Sequence, residues 1–153
     1  MKQNLAFLDS VVCDRAQPLA VREVMKASVE SFLMALLAGG GGRAFSREDY
    51  GAVAEDLASL KRLVCSCGEG LVTEEVVETE FAAAEGVVDL MGLPTEKLID
   101  EFRRSSSSCT TMPPMTRRWC RSDANTLLRV LCHRDDDAAS RFLKKTFDLP
   151  KRR

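Results

Sequence analysis

The stretch Pro18–Ala38 constrains this chain more than any other, because it reads as one long helix with both ends marked. Pro18 suits the first helical turn, where its missing N–H would have no intrahelical partner. Val21, Val24, Met25, Ser28, Phe32, Ala35 and Leu36 recur at steps of three and four, which sets them along one face. Val29, Leu33 and Leu37 widen that stripe, so the C-terminal half is expected to be deeply buried. Arg22, Glu23, Lys26 and Glu30 fall mostly on the other side. Gly39–Gly42 then stops the helix, since glycine takes the left-handed cap conformation at little cost. A helix apolar over so wide an arc needs neighbours, and the rest of the chain has to supply them.

It supplies more helices. Ser46 and Asp49 resemble a capping box ahead of Val53, Leu57, Leu60, Leu63 and Val64, and Gly68 and Gly70 close that segment. Thr73 opens a third helix, with Glu74 and Glu75 in the first turn, where the helix dipole favours negative charge. Val76, Val77, Phe81, Ala84, Val87, Val88 and Met91 carry its apolar pattern, and Gly92 ends it. Pro94 begins a short helix through Leu98, Ile99 and Phe102. The run Ser105–Ser108, followed by Thr110, Thr111, Pro113 and Pro114, carries no such pattern and predicts a flexible loop. Beyond it, Ser122 or Asp123 caps a helix through Leu127, Leu128, Val130 and Leu131. A last helix is expected from about Asp136 to Phe147, with Ala139, Phe142, Leu143 and Phe147 inward, and Pro150 ends it.

No segment shows the alternation of a strand. The fold class that follows is all-α, an antiparallel helical bundle of about five to six helices. Its organisation is one domain. Residues 1–104 form the bundle body and 105–121 the Ser/Thr/Pro loop. Residues 122–153 form a C-terminal helical pair packing on the same bundle. The length of 153 residues and the 45% hydrophobic content support a single core. The longest apolar run, Phe32–Ala38, is far shorter than the roughly 20 residues a membrane-spanning helix needs. Asp9 interrupts the apolar start and only Lys2 precedes it, so no secretory signal is read and the six cysteines are expected to be reduced in the cytoplasm.

The net charge of −1 hides an asymmetry. Residues 101–153 hold 13 Lys/Arg against 6 Asp/Glu, a balance of +7, and residues 1–100 carry −8. Arg117, Arg118, Arg121, Arg129 and Arg134 gather around Trp119 in the sequence. The whole-chain pI of 5.9 argues against nucleic acid. An acidic partner protein or anionic lipid headgroups fit the basic end better, with a plain solvated surface as the competing explanation. The residues expected at such a contact are Arg117, Arg118, Arg121, Lys151, Arg152 and Arg153. Arg103-Arg104-Ser105-Ser106 is patterned for a basic-directed kinase, which makes Ser105 and Ser106 candidate phosphorylation positions.

Catalytic and metal chemistry are poorly served. Cys65 and Cys67 form a Cys-x-Cys, and Cys132-His133 contains the single histidine, but the paired spacing of a zinc site is absent. These residues read as small apolar groups near helix ends. Asp135, Asp136 and Asp137 read as a helix start rather than as partners of His133 in a triad. Glu74, Glu75, Glu78 and Glu80 read as a solvated helix face. No enzyme activity, metal, cofactor or small-molecule substrate is expected.

Pro18-Leu-Ala-Val-Arg-Glu-Val-Met-Lys-Ala-Ser and Phe32-Leu-Met-Ala-Leu-Leu-Ala-Gly-Gly resemble the C-terminal region of plant MUN-domain proteins. So do Glu55-Asp-Leu-Ala-Ser-Leu-Lys-Arg, Cys67-Gly-Glu-Gly-Leu and Glu85-Gly-Val-Val-Asp-Leu-Met. The block from Arg118-Trp-Cys-Arg to Cys132-His-Arg and the ending Phe142-Leu-Lys-Lys-Thr-Phe-Asp-Leu-Pro-Lys-Arg-Arg are similar as well. The resemblance runs in order from about Leu5 onward. It implies an all-helical rod element used in exocytic vesicle tethering and priming and in delivery of proteins to the plasma membrane. Membrane-fusion or tethering proteins would be its partners, and it would sit peripherally at the plasma membrane or vesicles. The alternative it leaves is a truncated fragment that regulates or interferes with a full-length relative, without a membrane role.

Overall fold

The computed structural model describes residues 12–38, 44–67, 70–107 and 119–147. They form six helices: α1 (Gln17–Leu37), α2 (Tyr50–Cys67), α3 (Glu74–Gly92), α4 (Thr95–Ser107), α5 (Ala124–Cys132) and α6 (Asp137–Phe147). No strand occurs among the described residues. Phe45 and Arg134 make one isolated bridge. The chain is an all-α bundle, as its periodicity predicts.

Local chemistry explains most boundaries. Pro18 lies in the first turn of α1. Asp49 accepts from both the backbone N–H and the hydroxyl of Ser46, so that pair closes the turn before α2, which starts at Tyr50. Thr73 is the N-cap residue of α3, and Glu74 and Glu75 occupy its first turn. Asp123, rather than Ser122, caps α5 by accepting from the Thr126 N–H at 2.9 Å. Asp136 caps α6 by accepting from the Ala139 N–H at 2.7 Å. α1 ends at Leu37, and the glycines expected to stop it lie outside the described residues.

Two expectations change. Ser105, Ser106 and Ser107 are helical, so α4 runs one turn past residue 104, where the loop was expected to begin. The hydroxyl of Ser107 donates to the Arg103 carbonyl and that of Ser105 to the Ser122 carbonyl, so local and tertiary hydrogen bonds occupy serines that lack any apolar face. On α1, the buried residues are Val21, Met25, Val29, Leu33, Leu36 and Leu37, whereas Val24, Ser28 and Phe32 are half-buried and Ala35 is exposed. The stripe thus follows the i, i+4 ridge through Met25 and Leu33, the ridge that neighbouring helices interlock with most often.

The helices trace two up–down–up units. Tyr50 packs on Gly92 while Lys61 reaches Glu78 and Glu85, so α2 runs antiparallel to α3. Arg22 pairs with Glu80, and Leu37 lies beside Met91, so α1 runs parallel to α3. The second unit repeats the pattern. Ser105 bonds to Ser122 and Thr95 to Arg134, which sets α5 antiparallel to α4. Thr95 meets Asp136, and Phe102 meets Phe142, which sets α6 parallel to α4. α3 is central: it packs against α1, α2 and α5, and Phe81, Ala84, Val87 and Leu90 have no exposed surface. The core is aliphatic apart from Phe81 and Trp119. None of the described helices is long and apolar enough to cross a membrane.

Candidate functional site

Among the described residues, two groupings of side chains lie where helices of one unit meet the other or share an end. The first is the junction between the two units. Arg134 follows α5 and is buried, with its guanidinium aimed at the turn between α3 and α4. Its Nη1 donates to the Met91 carbonyl at 2.6 Å, its Nη2 to the Leu93 carbonyl, and its Nε to Thr95 Oγ1 at 3.2 Å. The Thr95 hydroxyl in turn donates to Asp136 Oδ2, which lies 3.7 Å from Arg134 Nε. The rigid fork of a guanidinium suits this task, because it can satisfy two carbonyls and a hydroxyl at once.

A strap from the first unit completes the junction. The Phe45 N–H donates to the His133 carbonyl at 2.6 Å, and the Asp135 N–H donates to the Phe45 carbonyl at 2.8 Å. His133 Nε2–H donates to the Leu37 carbonyl at 2.9 Å, which satisfies a carbonyl in the last turn of α1. Burial pushes the Arg134 pKa down, and the neighbouring Asp136 charge pushes back. Burial raises the Asp136 pKa, but hydrogen bonds from Ala139 and Thr95 and the Arg134 charge outweigh it and hold that carboxyl below its usual value. The void there is about 10 Å³, lined by Leu37, Phe45, Met91, Val130, His133 and Arg134. That is room for a water at most, so the junction is a structural lock.

Arg134 is therefore corrected out of the basic surface to which its sequence neighbours assign it. Its fellow Arg129 lies over the buried Trp119 ring at 5.5 Å, a cation–π contact. His133 serves as a helix-end donor rather than as a catalytic base. Cys65 and His133, the only histidine, are not brought together. Cys65 lies in the last turns of α2, beyond Lys61 and toward the start of α3, whereas His133 lies by Leu37 and the far end of α3. The helical rise from Val77 to Met91, fourteen steps, separates those ends by about 21 Å. Partial burial pushes the Cys132 thiol up, and Arg129 pulls the other way. Among the described residues no group of three or more His, Cys, Asp and Glu is placed to hold a metal ion.

The second place is the pole where α4 and α6 end and α5 begins. Phe102, Phe142 and Phe147 cluster there, with ring centroids 5.9 Å apart for the first pair and 6.4 Å for Phe102–Phe147. Arg103 lies over the Phe142 ring at 5.4 Å. Arg104 closes α4, and Lys144 and Lys145 are exposed in the last turn of α6. Phe147 is 43% exposed, where an inward position was expected. Arg121 enters from the α5 side and lies 3.8 Å from Asp89. Gly86 admits its stem, since a Cβ on Gly86 would sit 3.3 Å from Arg121 Cβ.

Of the predicted contact residues, Arg121 lies against α3 beside Gly86 and Asp89, and Arg117, Arg118, Lys151, Arg152 and Arg153 lie outside the described residues. Of the predicted phosphorylation positions, Ser105 is half-buried and donates to Ser122 at 2.9 Å, and Ser106 is exposed. Sequence reasoning missed Arg103, Arg104, Lys144, Lys145 and Phe147 as neighbours. Basic residues in the last turns of two helices were visible, but only the parallel course of α4 and α6 brings them to one end.

The profile of a family described as PATROL1-like, TPR repeats, matches residues 1–153. The "Protein unc-13 homolog" of Arabidopsis thaliana is 37% identical over 148 residues, covering 97% of this chain. The chain spans about 13% of the length of that relative. No solved structure matches. A match across the full length, with a helical fold of the expected kind, shows that this chain belongs to the PATROL1-like TPR-repeat family.

Proposed function

We propose that this chain is a non-enzymatic interaction module that contributes to exocytic vesicle tethering and priming, and through it to delivery of proteins to the plasma membrane. The observation that carries this is the similarity over 97% of the chain to an unc-13 homolog, in keeping with the MUN-type C-terminal blocks. The geometry supports binding rather than catalysis. Among the described residues, His133 is committed to the Leu37 carbonyl and the acidic run 135–137 starts α6. The partners are membrane-fusion or tethering proteins, and the module works from the cytoplasmic side as a peripheral component.

The basic C-terminal end, with Arg117, Arg118, Arg121, Lys151, Arg152 and Arg153, contacts an anionic surface in this proposal. Ser106, exposed beside Arg103 and Arg104, is the better phosphate acceptor of the two candidates, because Ser105 already donates to Ser122. Affinity capture of the tagged chain from plant cells, quantified against the matching segment of a full-length relative, tests the trafficking role. Enrichment of the same fusion or tethering proteins by both baits is the expected result. Failure of this chain to enrich any protein that the relative's segment enriches rules the role out.

A further inference from the structure

We propose that the pole formed by the C-terminal ends of α4 and α6 is a docking face for an anionic lipid bilayer, with Phe147 as its apolar tip. This deepens the membrane contact of the proposed function and rests on it. Lipid interfaces are recognised by a combination that few soluble ligands ask for: cations over the headgroups and an exposed apolar side chain that enters the acyl boundary. The pole supplies both. Arg103 and Arg104 lie in the last two turns of α4, and Lys144 and Lys145 in the last turn of α6. Phe147 is one of two large apolar side chains that are plainly exposed among the described residues. The other, Leu19, lies at the start of α1 in the other unit.

The acids facing the pole are few. Asp100 is 3.7 Å from Arg103, and Asp123 caps the start of α5 at this pole, so carboxylates offset part of the charge of Arg103, Arg104, Lys144 and Lys145. Glu101 is half-buried on α4. The Lys144–Lys145 pair supplies two exposed charges at the pole, and Lys145 precedes Phe147 by two residues. Phe147 leans on Phe102, which leans on Phe142, so the exposed ring is presented from a packed aromatic base. A bilayer uses both parts of this face, the cations over the headgroups and the ring at the acyl boundary.

The test is flotation of the full chain with phosphatidylcholine vesicles, with and without phosphatidylserine. Binding is expected only to the phosphatidylserine vesicles. At about 1 kcal/mol for each basic residue near the surface, Lys144→Ala/Lys145→Ala should weaken it about thirtyfold. Phe147→Ser should weaken it several-fold. Lys97→Ala, on α4 near the opposite end, should leave it unchanged, and circular dichroism confirms that each variant is folded. Equal loss on Lys97→Ala and Lys144→Ala/Lys145→Ala overturns the assignment of this pole. Absence of vesicle binding, with capture by a polyglutamate resin that Lys144→Ala/Lys145→Ala abolishes, overturns the bilayer in favour of an acidic protein. Vesicle binding by a chain that enriches no trafficking protein leaves this face intact and removes only the trafficking role.

Discussion

The two halves of the bundle follow the same up–down–up path but are held by different forces. In α1–α3 the helices meet along aliphatic ridges, with Met25, Leu33, Leu57, Phe81 and Val87 buried, and the charges stay outside as Arg22–Glu80 and Lys61 between Glu78 and Glu85. Apolar burial is non-directional, so such a seam tolerates small changes of shape. The α4–α6 half is attached to it by a buried guanidinium, a hydroxyl and a capping carboxylate that bond in fixed directions. Directed bonds to otherwise unsatisfied carbonyls specify one geometry and fail abruptly when a partner is removed. One half is held mainly by apolar area, and the join to the other adds directed bonds centred on Arg134 to the packing of α3 on α5.

The sharpest way to break that contrast is Arg134→Ala. It leaves the Met91 and Leu93 carbonyls without their donor and removes the charge beside Asp136, and should cost about 3–5 kcal/mol in chemical denaturation. Arg134→Lys should recover little of this, because an ammonium cannot fork across Met91 and Leu93. A loss below about 1 kcal/mol would mean that water replaces the guanidinium and that the join is not locked. Next in size is Leu33→Ala on the apolar seam, expected to cost about 3 kcal/mol. Here Leu33→Met should restore most of the loss, and that rescue, absent at Arg134, separates the two kinds of attachment.

Smaller effects sharpen the picture. Asp123→Ala removes the α5 cap and should cost about 1 kcal/mol, while Ser122→Ala should be near neutral, since the Ser122 carbonyl rather than its side chain receives Ser105. On the outer face, Lys61→Ala should cost under about 1 kcal/mol, because surface ion pairs are screened by solvent. Burial lowers the Lys61 pKa, but its hydrogen bonds to Glu78 and Glu85 outweigh it and raise the value overall.

Asp136 gives a pH signature specific to the join. Its carboxyl is held below the unfolded value, so its contribution is complete above the ordinary carboxylate value near about 3.9. That contribution is lost as pH falls through the lower folded value. Stability measured from neutral pH downward should therefore fall in the acid range, and Asp136→Asn should flatten that part of the curve while leaving the neutral end lower. An unchanged acid slope in Asp136→Asn would assign the loss to other carboxylates.

Much of this was legible in the sequence. Proline and glycine positions, the glutamates after Thr73, and the three- and four-residue spacing of apolar side chains are local properties, and they placed five helices close to their observed bounds. The same properties fail where the deciding contact is distant. Arg134 looks like one of five surface arginines, because nothing local reveals that the α3–α4 turn will present bare carbonyls to it. The face of α1 through Val24 and Ala35 looks as apolar as the face through Met25 and Leu33, and the position of α3 chooses between them. Ser105–Ser107 lack an apolar pattern and are still helical, because hydrogen bonds to Arg103 and Ser122 hold that turn.

The candidate site divides in the same way. The sequence by itself determined that this chain is helical, that its C-terminal third is basic, and that it lacks the paired histidines or cysteine spacing of a metal site, since residue type and short-range spacing settle those points. Only the tertiary structure decided which cations share a surface. Parallel α4 and α6 bring Arg104, Lys144, Lys145 and Phe147 to one end, while burial takes Arg134 away from it. Charge adds up by distance in space, and that distance is set by how helices far apart in the chain choose to pack.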